Sequence, residues 1–315
     1  MRTLDADKLA EFLDYPSLID RLDRAFAEGC CVPVRHHHDV AVPGGSDGTL
    51  LLMPAWREGA VLGVKVATVF PDNGAKGLDS VLASYLLLDG TTGEPLALAE
   101  GKTLTAKRTA AASALAASKL ARKNARSLLM VGTGRLAPEL IAAHSAVRPI
   151  DNVAIWGRTP HKAATLAAKL DRPERRVKAV TNLPCAVRDA DIISCATLAT
   201  EPLVLGAWLC PGQHLDLVGA FKPTMRESDD DAVKRATLFV DTRAGACKEA
   251  GDLAGPLERG VIDETDIQAE LAELCRGDHP GRQSDDEITL FKSVGTALED
   301  LAAAELAFER DRDSK

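Results

Sequence analysis

The feature that most constrains the fold is a glycine-rich turn that joins a short apolar run to an alanine-rich segment. The stretch LLMVGTGRLAPELIAAH begins at Leu128 and has the composition of a buried strand before the turn and of a helix after it. From there on, apolar runs such as NVAIW, DIISCAT and TLFVDT alternate with helical segments such as TPHKAATLAAKL. Strands that alternate with helices form a parallel sheet covered on both faces. The sequence therefore predicts an α/β fold with a doubly wound parallel sheet in its second part.

The turn itself matches the pattern G-x-G-x-x-A with Gly132, Gly134 and Ala137. In Rossmann domains the first glycine permits a tight turn, the second lets the backbone approach a pyrophosphate, and the small third residue lets the helix pack close to the strand. The amide groups at the helix start attract phosphates. A glycine turn in another kind of α/β sheet is the alternative, but the strand before and the helix after favour a dinucleotide site. We assign to this site Gly132, Thr133, Gly134, Arg135, Leu136 and Ala137.

The end of the next strand bears on which dinucleotide binds. Sites that prefer NAD usually place Asp or Glu there to hold the ribose 2′-hydroxyl. Here NVAIW is followed by Gly157, Arg158 and Thr159, without an acid. A guanidinium and a hydroxyl suit a 2′-phosphate, because Arg offers a planar fork of donors. We therefore expect NADPH to be preferred at Arg158 and Thr159. The alternative is a solvated Arg158 and NADH bound by other means.

The composition argues against several classes of function. The chain has 315 residues and a formal net charge of −8, whereas nucleic-acid binding needs a basic face. No apolar stretch has the length of a membrane span, and the first residues lack a signal-peptide core. We expect neither a nucleic acid nor a membrane as partner. The seven cysteines are scattered and form no C-x-x-C pair, which is typical of reduced thiols in a cytoplasmic protein.

The first part of the chain is rich in predicted strands. After a helical opening from Asp5 to about Gly29, apolar runs are bounded by Gly, Pro, Asp and Asn, and the segment Asp89–Pro95 indicates a hairpin connection. The alanine-rich segment Lys102–Arg122 predicts a long helix. We therefore expect a boundary between two domains near residues 123–124.

Three cations stand in apolar settings. Lys65 lies within the strand-like run LGVKVATV, Arg108 lies within the alanine-rich helix, and Arg35 ends VPVR, the start of a predicted strand. A buried cation costs several kcal/mol unless an anion meets it. If the three converge, they form a clamp for a carboxylate. Taken singly, each is as well explained by a structural ion pair or by a side chain that reaches solvent.

Three consecutive histidines suggest a metal site, but little supports one. On a strand His36 and His38 share a face, yet no second cluster of Cys, His or carboxylate accompanies them. We predict no metal and interpret the histidines as structural or solvent-facing. The sequence also lacks G-x-S-x-G, H-E-x-x-H and P-loop patterns, which argues against the common hydrolases and kinases.

Five ordered segments resemble the ornithine cyclodeaminase and mu-crystallin family. They are LTAKRTAAASALAASKLAR, VGTGRLA, CATLATEPL, GAFKPTMRESDD and ITLFKSVGTALEDLAAA. The resemblance spans nearly the whole chain. It implies a homodimer in which an N-terminal α/β domain, completed by the C-terminal helix, binds substrate and makes the dimer contact, while a Rossmann domain binds NAD(H) or NADP(H). The implied domains are residues 1–123 with 291–315, and residues 124–290.

Two departures from the family argue against ornithine cyclodeamination. The cyclodeaminases carry a glutamate before Leu-Met-Pro, where this chain has Leu51. Their G-A-D-x-P-G-K loop has an aspartate that handles the ornithine amines, where this chain has Phe221. Without these two carboxylates, nothing pairs with a cationic side-chain amine. The resemblance instead implies that Phe221 lines a pocket for an uncharged ring.

Other features are similar to the ketimine reductases of the family. Arg35, Lys65 and Arg108 match the residues that hold the substrate α-carboxylate, and we add Met53 and Gly295 to this substrate site. The expected reaction is NAD(P)H-dependent reduction of Δ1-pyrroline-2-carboxylate or Δ1-piperideine-2-carboxylate to L-proline or L-pipecolate. The alternatives are an ornithine cyclodeaminase, an alanine or N-alkyl amino-acid dehydrogenase, and a non-catalytic NADPH-binding protein.

The expected chemistry assigns a role to each part of the chain. Hydride passes to the imine carbon, and Lys65 donates the proton, since a lysine among cations should have a lowered pKa. The alternative is that Lys65 only binds carboxylate while a water donates. Residues at strand ends are expected to shape the nicotinamide pocket. The further cofactor residues are Thr109, Cys195, Ala196, Thr197, Val218, Gly219 and Ser293.

Overall fold

A computed structural model describes residues 1–314. The chain divides into two compact units, residues 1–109 with the segment from Thr296 onward, and residues 110–295. The first division falls inside a long helix, whereas the sequence prediction placed it after that helix, at residues 123–124. The helix starts as part of one unit and ends as part of the other, so composition alone gave no sign of the division.

Within residues 1–314 the regular elements are fourteen strands and eleven α-helices. The strands are β1 (Arg2–Leu4), β2 (His36–Val40), β3 (Gly48–Arg57), β4 (Val61–Val69), β5 (Val81–Asp89), β6 (Pro95–Glu100), β7 (Ser127–Val131), β8 (Asn152–Trp156), β9 (Arg176–Ala179), β10 (Ile192–Cys195), β11 (His214–Leu217), β12 (Thr237–Val240), β13 (Ile267–Glu270) and β14 (Thr289–Lys292). The helices are α1 (Ala6–Phe12), α2 (Tyr15–Glu28), α3 (Gly101–Leu120), α4 (Leu136–Val147), α5 (Pro160–Leu170), α6 (Leu183–Asp189), α7 (Asp230–Arg235), α8 (Arg243–Glu249), α9 (Gly251–Glu258), α10 (Leu271–Arg276) and α11 (Ala297–Asp313). No helix among these residues is both long and apolar enough to cross a membrane.

The first unit is built on a six-stranded sheet in the order β1-β6-β5-β4-β3-β2. Its strands pair antiparallel except for the parallel pair of β1 and β6. The predicted hairpin joins β5 to β6, where the Asp89 carboxylate accepts hydrogen bonds from the Thr91 and Thr92 amides at 2.8 Å. The helical opening is interrupted at residues 13–14, because Asp14 caps a second helix by accepting from the Ser17 amide.

One face of this sheet is covered by α11. Because side chains alternate between the two faces along each strand, every second residue points toward α11. Met53 pairs with Lys65, and Lys65 pairs with Tyr85, so the three side chains share that face, where they are buried. The opposite face carries apolar side chains that are more than a third exposed, among them Val66 and Leu82. The sheet therefore has one face in the core of the unit and one apolar face in contact with solvent.

The second unit is built on an eight-stranded, all-parallel sheet in the order β13-β12-β14-β11-β10-β7-β8-β9. The doubly wound parallel sheet predicted from the sequence is confirmed. From β9 to β14 the order is that of the Rossmann fold, with β7 as the first strand. The direction of winding reverses between β7 and β10, and ligands of open α/β sheets bind at the carboxyl ends of the strands at such a point. Apolar side chains of the central strands, such as Leu129, Ile193 and Leu215, form the core.

Candidate active site

The predicted phosphate loop follows β7 at the point where the winding reverses. Gly132 has a φ of 127°, and a Cβ there would lie 2.6 Å from the Ala196 carbonyl oxygen, so only glycine fits. A Cβ at Gly134 would meet no described atom within 4 Å, so the absence of a side chain there leaves room for a ligand. Ala137 is buried at the start of α4. This geometry fits the pyrophosphate of a dinucleotide at the start of α4.

The end of β8 lies beside this loop. A Cβ at Gly157 would come within 2.7 Å of the Thr133 methyl group, so glycine is needed for the close approach. Arg158 and Thr159 follow and are exposed. Thr159 caps α5, but its hydroxyl makes no capping hydrogen bond. Both side chains are available to a ligand, and the preference for a 2′-phosphate stays a prediction.

Two loops at the carboxyl ends of neighbouring strands are held by one buried carboxylate. Glu227 Oε1 accepts hydrogen bonds from the Thr197 amide (2.6 Å) and hydroxyl (2.7 Å), and Oε2 accepts from the Gly219 amide (2.7 Å). Thr197 lies two residues after β10 and Gly219 two residues after β11. Cys195 and Val218 are buried beside them, and Ala196 is half-buried. Sequence reasoning missed Glu227, although it stands in the GAFKPTMRE segment that carried the resemblance.

A second buried carboxylate holds the loop after β14. Asp241 Oδ2 accepts hydrogen bonds from the Val294 (2.8 Å) and Gly295 (2.7 Å) amides. Ser293, which the sequence assigned to the cofactor, is buried at the start of the same loop. The strand-end residues assigned to the nicotinamide pocket therefore lie on loops fixed by carboxylates that the sequence reasoning did not select.

The first unit brings two of the three predicted clamp cations together. Lys65 Nζ lies 2.6 Å from Asp300 Oδ2, and Arg108 Nε lies 3.0 Å from Asp300 Oδ1. Arg108 Nη1 also donates to Glu299 Oε2 at 2.6 Å. All four side chains are buried. Asp300 therefore bridges Lys65 of β4 and Arg108 of α3.

The two acids come from the first turn of α11. Thr296 caps this helix, and Glu299 completes the capping box. Sequence reasoning missed both acids, although adjacent carboxylates in the alanine-rich segment GTALEDLAAAELA need buried cations as partners. The cluster has two positive and two negative groups, so their charges balance. Any attraction for a further carboxylate therefore depends on N–H donors that the cluster itself does not use. Among residues 1–314, Arg108 Nη2 makes no hydrogen bond, and Lys65 Nζ uses one of its three N–H donors.

Burial dominates the electrostatics of this cluster. It lowers the pKa of Lys65 to about 8, although Asp300 acts in the opposite direction. For Arg108, burial by itself would lower the pKa, but Asp300 and Glu299 outweigh it and hold the pKa above its usual value. The lowered pKa of Lys65 was expected from the sequence, but neighbouring cations were the expected cause. Repulsion from Arg108 is a smaller contribution than burial.

The remaining substrate residues lie at separate positions. Arg35 is half-buried in the segment before β2, not in a strand as VPVR had suggested, and its place in the clamp stays a prediction. Met53 lies beside Lys65 in the sheet. Thr109, which the sequence assigned to the cofactor, is half-buried on α3 next to Arg108. Phe221 is 44% exposed in the loop after β11, where its ring is accessible to a ligand.

The three histidines lie on the edge strand β2, and their side chains are exposed. Among residues 1–314, no group of three or more His, Cys, Asp and Glu side chains is arranged to hold a metal ion.

Comparisons with known proteins give concordant results. A model of the ornithine cyclodeaminase/mu-crystallin family matches residues 10–315. The chain is 42% identical to the Delta(1)-pyrroline-2-carboxylate reductase of Paracoccus denitrificans over 300 residues, which cover 93% of this chain and 95% of that one. The Delta(1)-pyrroline-2-carboxylate reductase of Thermococcus litoralis, solved with NADH and L-proline, superposes with a TM-score of 0.93 at 38% identity and covers 100% and 98% of the two chains. An archaeal alanine dehydrogenase dimer with bound NAD superposes with a TM-score of 0.92 at 27% identity and covers 100% and 97%.

Proposed function

The chain belongs to the ornithine cyclodeaminase/mu-crystallin family, and from this premise we propose that it is an NAD(P)H-dependent reductase of cyclic ketimine carboxylates. Its substrate is Δ1-pyrroline-2-carboxylate, with Δ1-piperideine-2-carboxylate as the six-membered analogue. The observation that carries the proposal is the buried pair of Lys65 and Arg108, which Asp300 holds together while donors on both remain available. Identity to two proteins with this reductase name supports the choice of substrate.

The residues of the cluster divide the chemistry between them. Arg108 Nη2 and the spare Nζ protons of Lys65 bind the substrate carboxylate. When bound, the nicotinamide cofactor supplies the hydride that the imine carbon receives. The imine nitrogen takes one proton, and Lys65 provides it, because a pKa of about 8 leaves the ammonium protonated at neutral pH yet able to release its proton. One hydride and one proton convert the C=N bond to a secondary amine.

The phosphate loop and the end of β8 bind the cofactor. The room at Gly134 supports a pyrophosphate there, and exposed Arg158 and Thr159 support a preference for NADPH. Among residues 1–314, no carboxylate pairs with Arg158, so its guanidinium has no competing charge partner. NADH is the second cofactor to be tested.

The exposed sheet face of the first unit supports a homodimer. Val66, Leu82 and Leu98 are 38%, 38% and 39% exposed on the face opposite α11. A contiguous apolar face of this kind marks a contact surface. We place the dimer contact there, and Leu82→Lys should shift the protein to a monomer in analytical ultracentrifugation without loss of the folded state. Cys30, Cys31, Cys185, Cys195, Cys210 and Cys247 form no disulfide, which supports a reducing, cytoplasmic compartment.

The test is the oxidation of NADPH by the purified protein, followed by absorbance with each cyclic imine. Imine-dependent oxidation is expected, faster with NADPH than with NADH. Release of ammonia from ornithine with NAD, or turnover of pyruvate with ammonia or methylamine but not of the imines, would contradict the proposal. Binding of NADPH without any turnover would show a non-catalytic protein.

A pair of variants tests the carboxylate site. Arg108→Ala should raise KM for the imine and lower kcat/KM at least a hundredfold. Arg57→Ala is the matched control, because Arg57 also pairs with a carboxylate of α11, Glu305, but lies at the protein surface. It should leave kcat/KM unchanged. If kcat/KM fell equally in both variants, the loss would come from a less stable α11 and not from a lost contact with the substrate carboxylate.

A further inference from the structure

Glu227 lies at the centre of a charged cluster inside the second unit. Its own amide donates to Asp252 Oδ1 at 2.8 Å, and Lys292 Nζ lies 3.3 Å from Asp252 Oδ2, in an orientation that makes no hydrogen bond. All three side chains are fully buried. Two carboxylates thus share one ammonium, so the cluster carries a net negative charge when every group is ionised.

Elements packed around Glu227 contribute ionisable groups. The groups that act on Glu227 or feel its charge are Cys195 of β10, Asp252 of α9 and Lys292 of β14. Burial, opposed by Lys292 and reinforced by Asp252, raises the pKa of Glu227 to about 7. The carboxylate therefore changes charge near neutral pH, while it accepts hydrogen bonds from both strand-end loops.

The hydrogen bonds at Glu227 favour an ionised carboxylate. All three partners donate, two to Oε1 and one to Oε2. An amidated side chain presents its NH₂ group to one of the two backbone amides, and that bond is lost. A protonated carboxyl keeps its partners only by donating to the Thr197 hydroxyl, and its neutral oxygens accept more weakly than those of a carboxylate. The two loops also touch, because a Cβ at Gly219 would lie 2.1 Å from the Thr197 carbonyl oxygen. A shift of either loop therefore displaces the other.

We propose that Glu227 is a positioning residue for the dinucleotide, because through Thr197 and Gly219 it fixes the two loops that bind the nicotinamide half, and neutralising it releases them. The inference rests on the proposed function in requiring a dinucleotide at these strand ends. It adds that cofactor affinity depends on pH through a group that does not touch the cofactor.

The experiment measures the Kd of NADH by fluorescence titration between pH 6 and pH 8. NADH is used because the 2′-phosphate of NADPH titrates in the same range. Affinity should be highest at pH 8 and fall about tenfold toward pH 6, since one proton is linked to the release of the loops. Glu227→Gln should bind NADH about tenfold more weakly at pH 8 and show no change with pH.

Asp191→Asn is the matched control. Asp191 also accepts from two backbone amides and a hydroxyl, those of Arg126 and Ser127, but at the amino ends of β7 and β10. It should lower the stability and leave the Kd of NADH unchanged.

Three results would overturn the inference: a wild-type Kd that is flat from pH 6 to pH 8, a Glu227→Gln protein that binds NADH as the wild type does, or an equal weakening in Asp191→Asn. If Glu227→Gln does not fold, the wild-type series decides alone. A wild type that binds no dinucleotide refutes the proposed function as well, whereas binding with a flat profile refutes only the inference.

Discussion

Replacing Asp300 with asparagine removes a negative charge from between two buried cations. Asp300 Oδ2 lies 2.6 Å from Lys65 Nζ, and Oδ1 lies 3.0 Å from Arg108 Nε. Opposite charges about 4 Å apart at an effective dielectric constant of 20 attract by about 4 kcal/mol, and one pKa unit corresponds to about 1.4 kcal/mol. The pKa of Lys65, which burial has already lowered to about 8, should therefore fall further, by about two to three pH units.

The assay is kcat/KM for Δ1-pyrroline-2-carboxylate as a function of pH. Lys65 donates only while it is protonated, so the wild-type value should fall above a pH of about 8. In Asp300→Asn this decline should begin about two to three pH units lower, and kcat/KM at pH 7.5 should drop roughly a hundredfold. Taking the ratio of variant to wild type at each pH removes the titration of the imine itself.

Glu305→Gln is the control on the same helix. Glu305 pairs with Arg21 and Arg57, away from Lys65. Its loss should leave the pH profile unchanged. Breaking the buried pair in Asp300→Asn should cost about 3–5 kcal/mol, so chemical unfolding must first show that the variant is folded. A folded Asp300→Asn protein whose decline stays near pH 8 would show that another group supplies the proton.

Four further substitutions separate binding from stability. Gly134→Val should abolish NADPH binding in a fluorescence titration with no loss of thermal stability, whereas Gly132→Val should also lower the melting temperature, because its Cβ meets a backbone oxygen. Arg158→Ala should weaken NADPH about tenfold and leave NADH unchanged in the same titration, and equal weakening of both would refute the 2′-phosphate site. Arg148→Met should cost about 3 kcal/mol in urea unfolding with an unchanged Kd for NADPH, because the buried Arg148 guanidinium bonds four backbone carbonyls around the end of α3 and the carbonyl of Val147 at the end of α4. An altered Kd would contradict this structural role.

Local signals were enough to predict much of the second unit. The Gly132 turn, the apolar run before it and the helix after it are contiguous, and the alternation of strand and helix recurs along most of the unit. The cap of α7 is equally local, since Asp229 accepts from the Ala232 amide. Such features depend on residues within a few positions of one another, where spacing carries the information.

The partners of the site residues could not be predicted in the same way. Lys65 and Asp300 lie 235 positions apart, and Thr197 and Glu227 lie 30 apart. The residues next to a buried cation in the sequence do not identify the acid that pairs with it. The sheet register and the position of α11 decide which acid lies beside the cation. At Arg35 a local signal was misleading. The apolar residues around it predicted a strand, but the chain is irregular there.

The last strand and the last helix of the described chain each take a central place in their own unit. β14 lies between β11 and β12, so the ribbon of β12 and β13 joins the rest of its sheet only through a strand made after both. α11 brings the carboxylates that neutralise Lys65 and Arg108. On the ribosome, therefore, both units remain incomplete until residues 289–313 have emerged. Until then, the sheet of the second unit lacks a central strand and the sheet of the first unit lacks the helix that covers it. Both would expose apolar surface to a chaperone.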